Sequence, residues 1–257
     1  MNDSSVLGID AAWTSHNPSG VALITRTEGR WTSLRVGASF AEFCGTQLAG
    51  VLDALAVARN LLGGRRPDVV AVDMPLALGP IVGRRVADDE ISRTFGRNWC
   101  SAHSPTVKRP GVVAEALRDA FISEGYVLVT NDSARPPFAL LEVYPHPAIV
   151  RLMTLDKRLP YKVSRARRYW PNESRSERQS SLQREWRRLY SALSKHVDDI
   201  PAVVPADVDG VTGEMLKAAE DRLDALVCAW VGTEWLDERA EALGDANAAV
   251  WVPRTRS

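Results

Sequence analysis

Val6-Leu7-Gly8-Ile9-Asp10 is a short apolar run ending on an acid, and the residues that follow it decide how the chain folds. A polar turn at Thr14 to Ser19 leads into Gly20-Val21-Ala22-Leu23-Ile24-Thr25, and Trp31 to Gly37 alternates well enough to be a third strand. Three consecutive strands with short connections form an antiparallel meander. From Ala41 to Leu62 apolar residues recur at close to helical spacing, until Gly63-Gly64 stops them. Asp68-Val69-Val70-Ala71-Val72-Asp73 is a continuous apolar run of the kind buried on both faces of a sheet, and it also ends on Asp.

Further α/β units follow. Met74 to Pro110 is a long loop with a short helix around Val86 to Phe95, in the position after a strand where loops carry function. A helix spans Val112 to Glu124, a strand Tyr126 to Val129, and another strand Phe138 to Tyr144, interrupted by Glu142. Pro145 to Thr154 reads as a helix with Pro147 tolerated in its first turn. Ser174 to His196 is a helix opened by a capping box of Ser174 and Glu177. A last long helix runs from Gly213 to Leu236, and Ala248 to Val252 is expected as a final edge strand.

The 257 residues suit one large domain, with 45% apolar and 25% charged residues as in a soluble globular protein. Three well-separated cysteines, Cys44, Cys100 and Cys228, argue for a reducing compartment, and the expectation is a cytoplasmic protein without leader or membrane span. Lys plus Arg and Asp plus Glu both number 32, yet the charge is unevenly spread. Arg151 to Arg188 holds 12 basic against 4 acidic residues, and Asp198 to Asp245 holds 3 against 13. The first segment can attract a polyanion and the second can hold cations.

The acidic segment contains Glu220-Asp221-Arg222-Leu223-Asp224-Ala225-Leu226-Val227-Cys228-Ala229-Trp230. Asp221 and Asp224 are three apart on a helix, so they share a face at the edge of the apolar stripe Leu216, Ala219, Leu223, Leu226, Val227 and Trp230. A partly buried carboxylate pair needs a shared proton or a positive ion. In an open α/β sheet the ligand site forms at the carboxyl ends of the strands, where Asp10 and Asp73 stand. If the closing helix crosses the sheet, the four acids face one another. Hard oxygen ligands suit Mg²⁺ or Mn²⁺, and two such ions about 4 Å apart support phosphodiester hydrolysis. Each acid has a structural alternative: Asp10 and Asp73 as turn caps, Glu142 paired with a buried Arg, and the helix pair neutralised by Lys217 or Arg222.

The set Gly8-Ile9-Asp10-Ala11-Ala12, Val72-Asp73-Met74-Pro75-Leu76, Glu142-Val143-Tyr144-Pro145-His146-Pro147 and Asp221-Arg222-Leu223-Asp224-Ala225-Leu226 resembles the family described as predicted ribonuclease-H-like nucleases. The resemblance extends from Val6 to about Val252. It implies a single ribonuclease-H-like domain over residues 1–257, with three antiparallel and then parallel strands flanked by helices, and a basic helical insertion at about 155–200. It also implies a metal-dependent nuclease. Asp10, Asp73, Asp221 and Asp224 are then the metal acids; Glu142, which has no fixed counterpart across the wider ribonuclease-H-like superfamily, is expected as a fifth catalytic carboxylate.

Around these acids, His146 can orient substrate or exchange protons. Arg97, Lys108, Arg109 and Lys162 can meet phosphate, and Tyr161, Tyr169 and Trp170 among arginines suit a single strand of nucleic acid. Cys100 and His103 have zinc-like spacing but no second pair. Two other functions compete with hydrolysis: a non-catalytic module that binds nucleic acid or protein through the basic insert, and an ATP phosphotransferase of the actin and sugar-kinase type. The latter is similar in Gly8-Ile9-Asp10 and the turn after it, but lacks the later glycine-rich loops.

Overall fold

A computed structural model describes residues 4–14, 17–207 and 210–255. In the turn expected at Thr14 to Ser19, Ser15 and His16 lie outside the described residues. The strands are β1 (Ser5–Asp10), β2 (Gly20–Thr27), β3 (Arg30–Gly37), β4 (Val69–Val72), β5 (Val127–Leu128), β6 (Ala139–Val143), β7 (Ala240–Gly244) and β8 (Ala249–Pro253). The helices are α1 (Phe40–Cys44), α2 (Val51–Leu61), α3 (Val86–Phe95), α4 (Val112–Ser123), α5 (Pro145–Met153), α6 (Ala166–Tyr169), α7 (Arg175–Leu193) and α8 (Gly213–Leu236). They build an α/β protein around a mixed sheet of order β3-β2-β1-β4-β6-β8-β7, with β5 pairing the first half of β6. The first three strands are antiparallel, and β4 and β6 continue parallel to β1.

Two expectations needed revision. The helix expected from Ala41 to Leu62 is two helices, because Gly45 adopts the left-handed conformation that closes α1. Ala249–Pro253 is an interior strand between β6 and β7, and the edge belongs to β7.

Side chains alternate across the central strands and define two cores. Val6, Val69, Ala71 and Leu141 face a core shared with α5, α7 and α8. Leu7, Ile9, Val70, Val72 and Leu140 face a second core under α2 and α4. A period of two therefore puts Asp10 and Asp73 on the α8 side, while Glu142 falls in line with Leu140 on the other.

The basic segment at 155–200 is not an appendage. Leu182, Trp186, Leu189 and Leu193 of α7 are buried in the α8-side core, and Ser33 N–H donates to the Asp198 carbonyl at 2.9 Å. The capping box of Ser174 and Glu177 opens α7 as expected. Among the described residues no helix is long and apolar enough to cross a membrane.

Candidate active site

Two glycines let α8 lie almost on the backbone of β1 and β2. A Cβ on Gly8 would sit 2.3 Å from Ala229 N and 2.4 Å from the Ala225 carbonyl oxygen, and one on Gly20 would sit 2.2 Å from the Asp221 carbonyl oxygen. This close approach brings the acids of α8 to the carboxyl end of β1. There a cavity of about 650 Å³ opens, walled by Asp10, Asp73, Asp221, Lys162 and Lys217, with Trp13, His103, Ser104 and Arg109 around them. The Arg109 guanidinium stands 5.8 Å from the centre of the Trp13 ring.

Beneath the cavity the acids are tied to two lysines. Lys162, from the segment before α6, bonds Asp224 and stands 3.5 Å from Glu220. Lys217, one turn ahead of Asp221 on α8, bonds Asp221 and reaches Glu220 at 3.0 Å. Tyr161 donates its hydroxyl to Asp224 at 2.5 Å, and Val163 N–H donates to Glu220 at 2.6 Å. Asp224 is fully buried with both oxygens bonded. Asp221 is also buried, and its Oδ2 has no partner.

Five carboxylates share this neighbourhood with two ammonium groups, and the titration of the acids reflects it. Burial pushes Asp10 up to about 6 against the pull of Lys162, and the Asp221 charge adds to the rise. Asp73 is raised well above the usual carboxylate range by burial and then by Asp10. Asp224 is pushed up to about 6 by burial despite Lys162, and Asp221 is raised by burial despite Lys217. Burial alone would depress Lys162, but Asp224, Tyr161, Glu220 and Asp10 together raise it, so it stays charged.

From the sequence, Mg²⁺ or Mn²⁺ is expected at these acids. Among the described residues no three Asp, Glu, His or Cys side chains form a ready metal cage. Lysine ammonium groups bond the carboxylates of α8: Lys162 bonds Asp224 and Lys217 bonds Asp221. The donor set nevertheless fits: hard oxygens, an orphaned Asp221 oxygen, and cavity-facing Asp10 and Asp73. Mg²⁺ in particular is commonly held by one or two carboxylates together with substrate phosphates.

The remaining candidates separate. Asp10, Asp73, Asp221 and Lys162 meet at the cavity, and Asp224 lies behind Lys162 as its anchor. Glu142 is not on that cavity's wall; it lines a smaller adjoining cavity that shares Trp13, Asp73 and His103. It points to the opposite face of the sheet, where Arg85 grips both its oxygens at 2.6 Å and Leu76 N–H donates at 2.7 Å. Arg97 is displaced too: it lies with Thr94, Asn98 and Arg151 at another cavity. His146 is buried in the first turn of α5 against Arg158, wedged between Tyr144 and Tyr161 and off the cavity wall. Burial, then Arg158 and Lys162, hold it well below its usual range, so it is neutral.

Glu220 is the site residue that a reading for metal acids passes over, whereas Lys217 pairs with Asp221 as the structural alternative expected. The signal for Lys217 is its spacing of four from Asp221, the geometry of a helical ion pair. Arg222, the other candidate partner, instead pairs with Glu42 at 2.7 Å.

No curated protein and no solved structure matches the chain. One family does, described as "Protein of unknown function (DUF429)", and its match runs over residues 8–249, from the middle of β1 into β8. That span holds the five carboxylates in and beneath the cavity and both lysines, and the chain belongs to the DUF429 family.

Proposed function

We propose that the protein is a metal-dependent hydrolase of phosphodiester bonds in nucleic acid, a nuclease of ribonuclease-H-like type. The observation that carries this reading is the meeting of Asp10, Asp73 and Asp221, from two strand ends and a helix, at one cavity edged by cations. Strand order, with three antiparallel strands followed by parallel ones and a helix laid across them, is consistent with that fold. The three free cysteines suit the cytoplasm.

Asp10, Asp73 and Asp221 would hold Mg²⁺ or Mn²⁺, which supplies Lewis acidity toward the phosphodiester and a nucleophile at neutral pH. The chain's own groups do the rest. Asp224 and Glu220 fix Lys162 at the cavity wall, where its ammonium can offset charge on a phosphoryl oxygen. Arg109 and His103 stand at the same opening, placed to meet the flanking phosphates. Glu142 and His146 have positioning roles only: one holds Arg85 under the loop after β4, the other packs beneath Tyr161.

The test is hydrolysis of labelled single-stranded and duplex oligonucleotides with Mn²⁺ or Mg²⁺, alongside Mn²⁺ binding followed by electron paramagnetic resonance. Asp10→Asn and Asp73→Asn are each expected to lower cleavage at least about a hundredfold and to weaken Mn²⁺ binding. Cleavage retained in both variants would reject the assignment. The pairing of α8 acids with lysines favours a second reading, a non-catalytic nucleic-acid module. Binding without turnover across several divalent ions would select it.

A further inference from the structure

A basic, aromatic groove is built largely from the segment that also supplies Lys162 to the acid cavity. Trp99, Tyr169 and Trp170 line this groove of about 630 Å³, a size suited to a nucleotide-scale ligand. Trp99 is 62% exposed, and its backbone is left-handed at φ 62°, unusual for so bulky a residue. Its position is set by Arg158 N–H donating to the Asn98 carbonyl at 2.7 Å and by the Asn98 amide donating to the Asp156 carbonyl at 2.9 Å. The Tyr169 and Trp170 rings meet edge to face at 5.6 Å.

Four cations share the groove: Lys157, Arg158, Arg165 and Arg168. Lys157 Nζ lies 4.3 Å from the centre of the Trp99 ring. Among the described residues the structure shows no ion pair between any of the four and a carboxylate. The Tyr169 hydroxyl and Arg158 Nε are buried without a hydrogen-bond partner. The same short segment supplies Lys162 to the acid cavity, and Arg158 contacts His146, whose ring packs 5.4 Å from that of Tyr161. Contacts thus run from Arg158 in the groove through His146 and Tyr161 to Lys162 at the cavity.

We propose that this groove binds a single-stranded stretch of nucleic acid flanking the scissile phosphodiester, with a base stacked on Trp99 and phosphates on the surrounding cations. The proposal rests on the nuclease reading for the identity of the ligand. Aromatic platforms among cations track single strands, because every unpaired base offers a π-face. A duplex keeps its bases stacked inside and cannot use Trp99 in this way.

The experiment measures fluorescence anisotropy of a fluorescein-labelled twelve-residue oligothymidylate with the full chain in EDTA, so that binding is read without turnover. Trp99→Gly suits the left-handed backbone and is expected to weaken binding about tenfold. Arg168→Gln is expected to reduce the slope of log affinity against log salt by about 0.7. Arg59→Ala, on α2, is expected to leave binding unchanged, and a thermal melt of each variant reports its folding. Wild-type affinity in Trp99→Gly overturns the proposal. So does an equal loss for the matching duplex, or thymidine monophosphate competing as strongly as the oligomer, which marks a free-nucleotide site. A wild-type chain that fails to bind the oligomer overturns it as well. Failure to cleave with Mn²⁺, with this binding pattern intact, would count against hydrolysis and leave the groove assigned.

Discussion

Two groups of buried and half-buried carboxylates stand near the carboxyl ends of neighbouring strands, and they differ in how they are neutralised. Glu142 and Asp88 enclose Arg85, whose side chain is only 7% exposed, with bonds of 2.6 Å to Glu142 and 2.8 Å to Asp88. Burial raises Glu142 above its ordinary range and the guanidinium opposes the rise, while every oxygen of the Glu142 carboxylate is bonded. On the other face, five carboxylates share two lysines, and Asp221 keeps an oxygen without a partner. The planar fork of an Arg matches carboxylates two atoms at a time, whereas an ammonium is a point charge that cannot satisfy several of them at once. The Arg85 group is closed and holds the loop after β4. The lysine group is open, and its residual negative charge is what a divalent cation could use.

The largest expected effect breaks the closed group. Arg85→Ala leaves Glu142 and Asp88 buried without their cation, which should cost about 3–5 kcal/mol of stability. Chemical denaturation followed by circular dichroism measures it. A loss below about 1 kcal/mol would show that this group is no more structural than the open one.

That division was only half legible in the sequence. Long periodic elements read well: α8 lies where its apolar stripe places it, and Ser174 with Glu177 marks the start of α7. Asp10, Asp73 and Asp221 could be found because each ends a strand or edges a helical stripe. Arg85 lies 57 residues from Glu142, and a pair at that separation has no local pattern. The alternation that turns Glu142 away from Asp73 was present, but its consequence depends on the register of β6 beside β4, which long-range pairing sets. β7 was missed because Ala240-Glu241-Ala242-Leu243-Gly244 is poor in strand-forming residues and takes its structure from pairing with β8.

An intermediate effect comes from His146, which packs against the Tyr161 ring that anchors Asp224. Facing it are Arg158, Lys162, Arg165 and His103, all of which disfavour its protonation beyond what burial already does. The unfolded chain binds a proton near pH 6.5 and the folded chain does so only at lower pH. The stability this provides is complete above pH 6.5 and is lost as pH falls below it, by up to about 2 kcal/mol at pH 5. His146→Gln should remove that component, so the stability gap between variant and wild type should change between pH 7 and 5. Parallel profiles in urea would mean that His146 is protonated in the folded protein, and that the cations around the open group are better screened than their burial indicates.

The smallest effect is also the one that discriminates best, because its sign should reverse with conditions. Burial and Asp221 raise Asp10 to about 6, so its ionised form is disfavoured by folding. At pH 7.5, above both the folded and unfolded values, the whole penalty is in force. Asp10→Asn removes one charge from the excess of carboxylates and should stabilise the metal-free protein by on the order of 1 kcal/mol. Mn²⁺ at ten times its dissociation constant should stabilise the wild type by about 1.4 kcal/mol through linkage, while doing little for a variant that has lost a ligand. In EDTA the variant therefore melts higher, and with Mn²⁺ the wild type overtakes it. The Arg85 group offers no such reversal, since its carboxylates already hold their cation. If Asp10→Asn instead melts lower in EDTA, the lysines neutralise the open group as fully as Arg85 neutralises the closed one, and no ion is needed there.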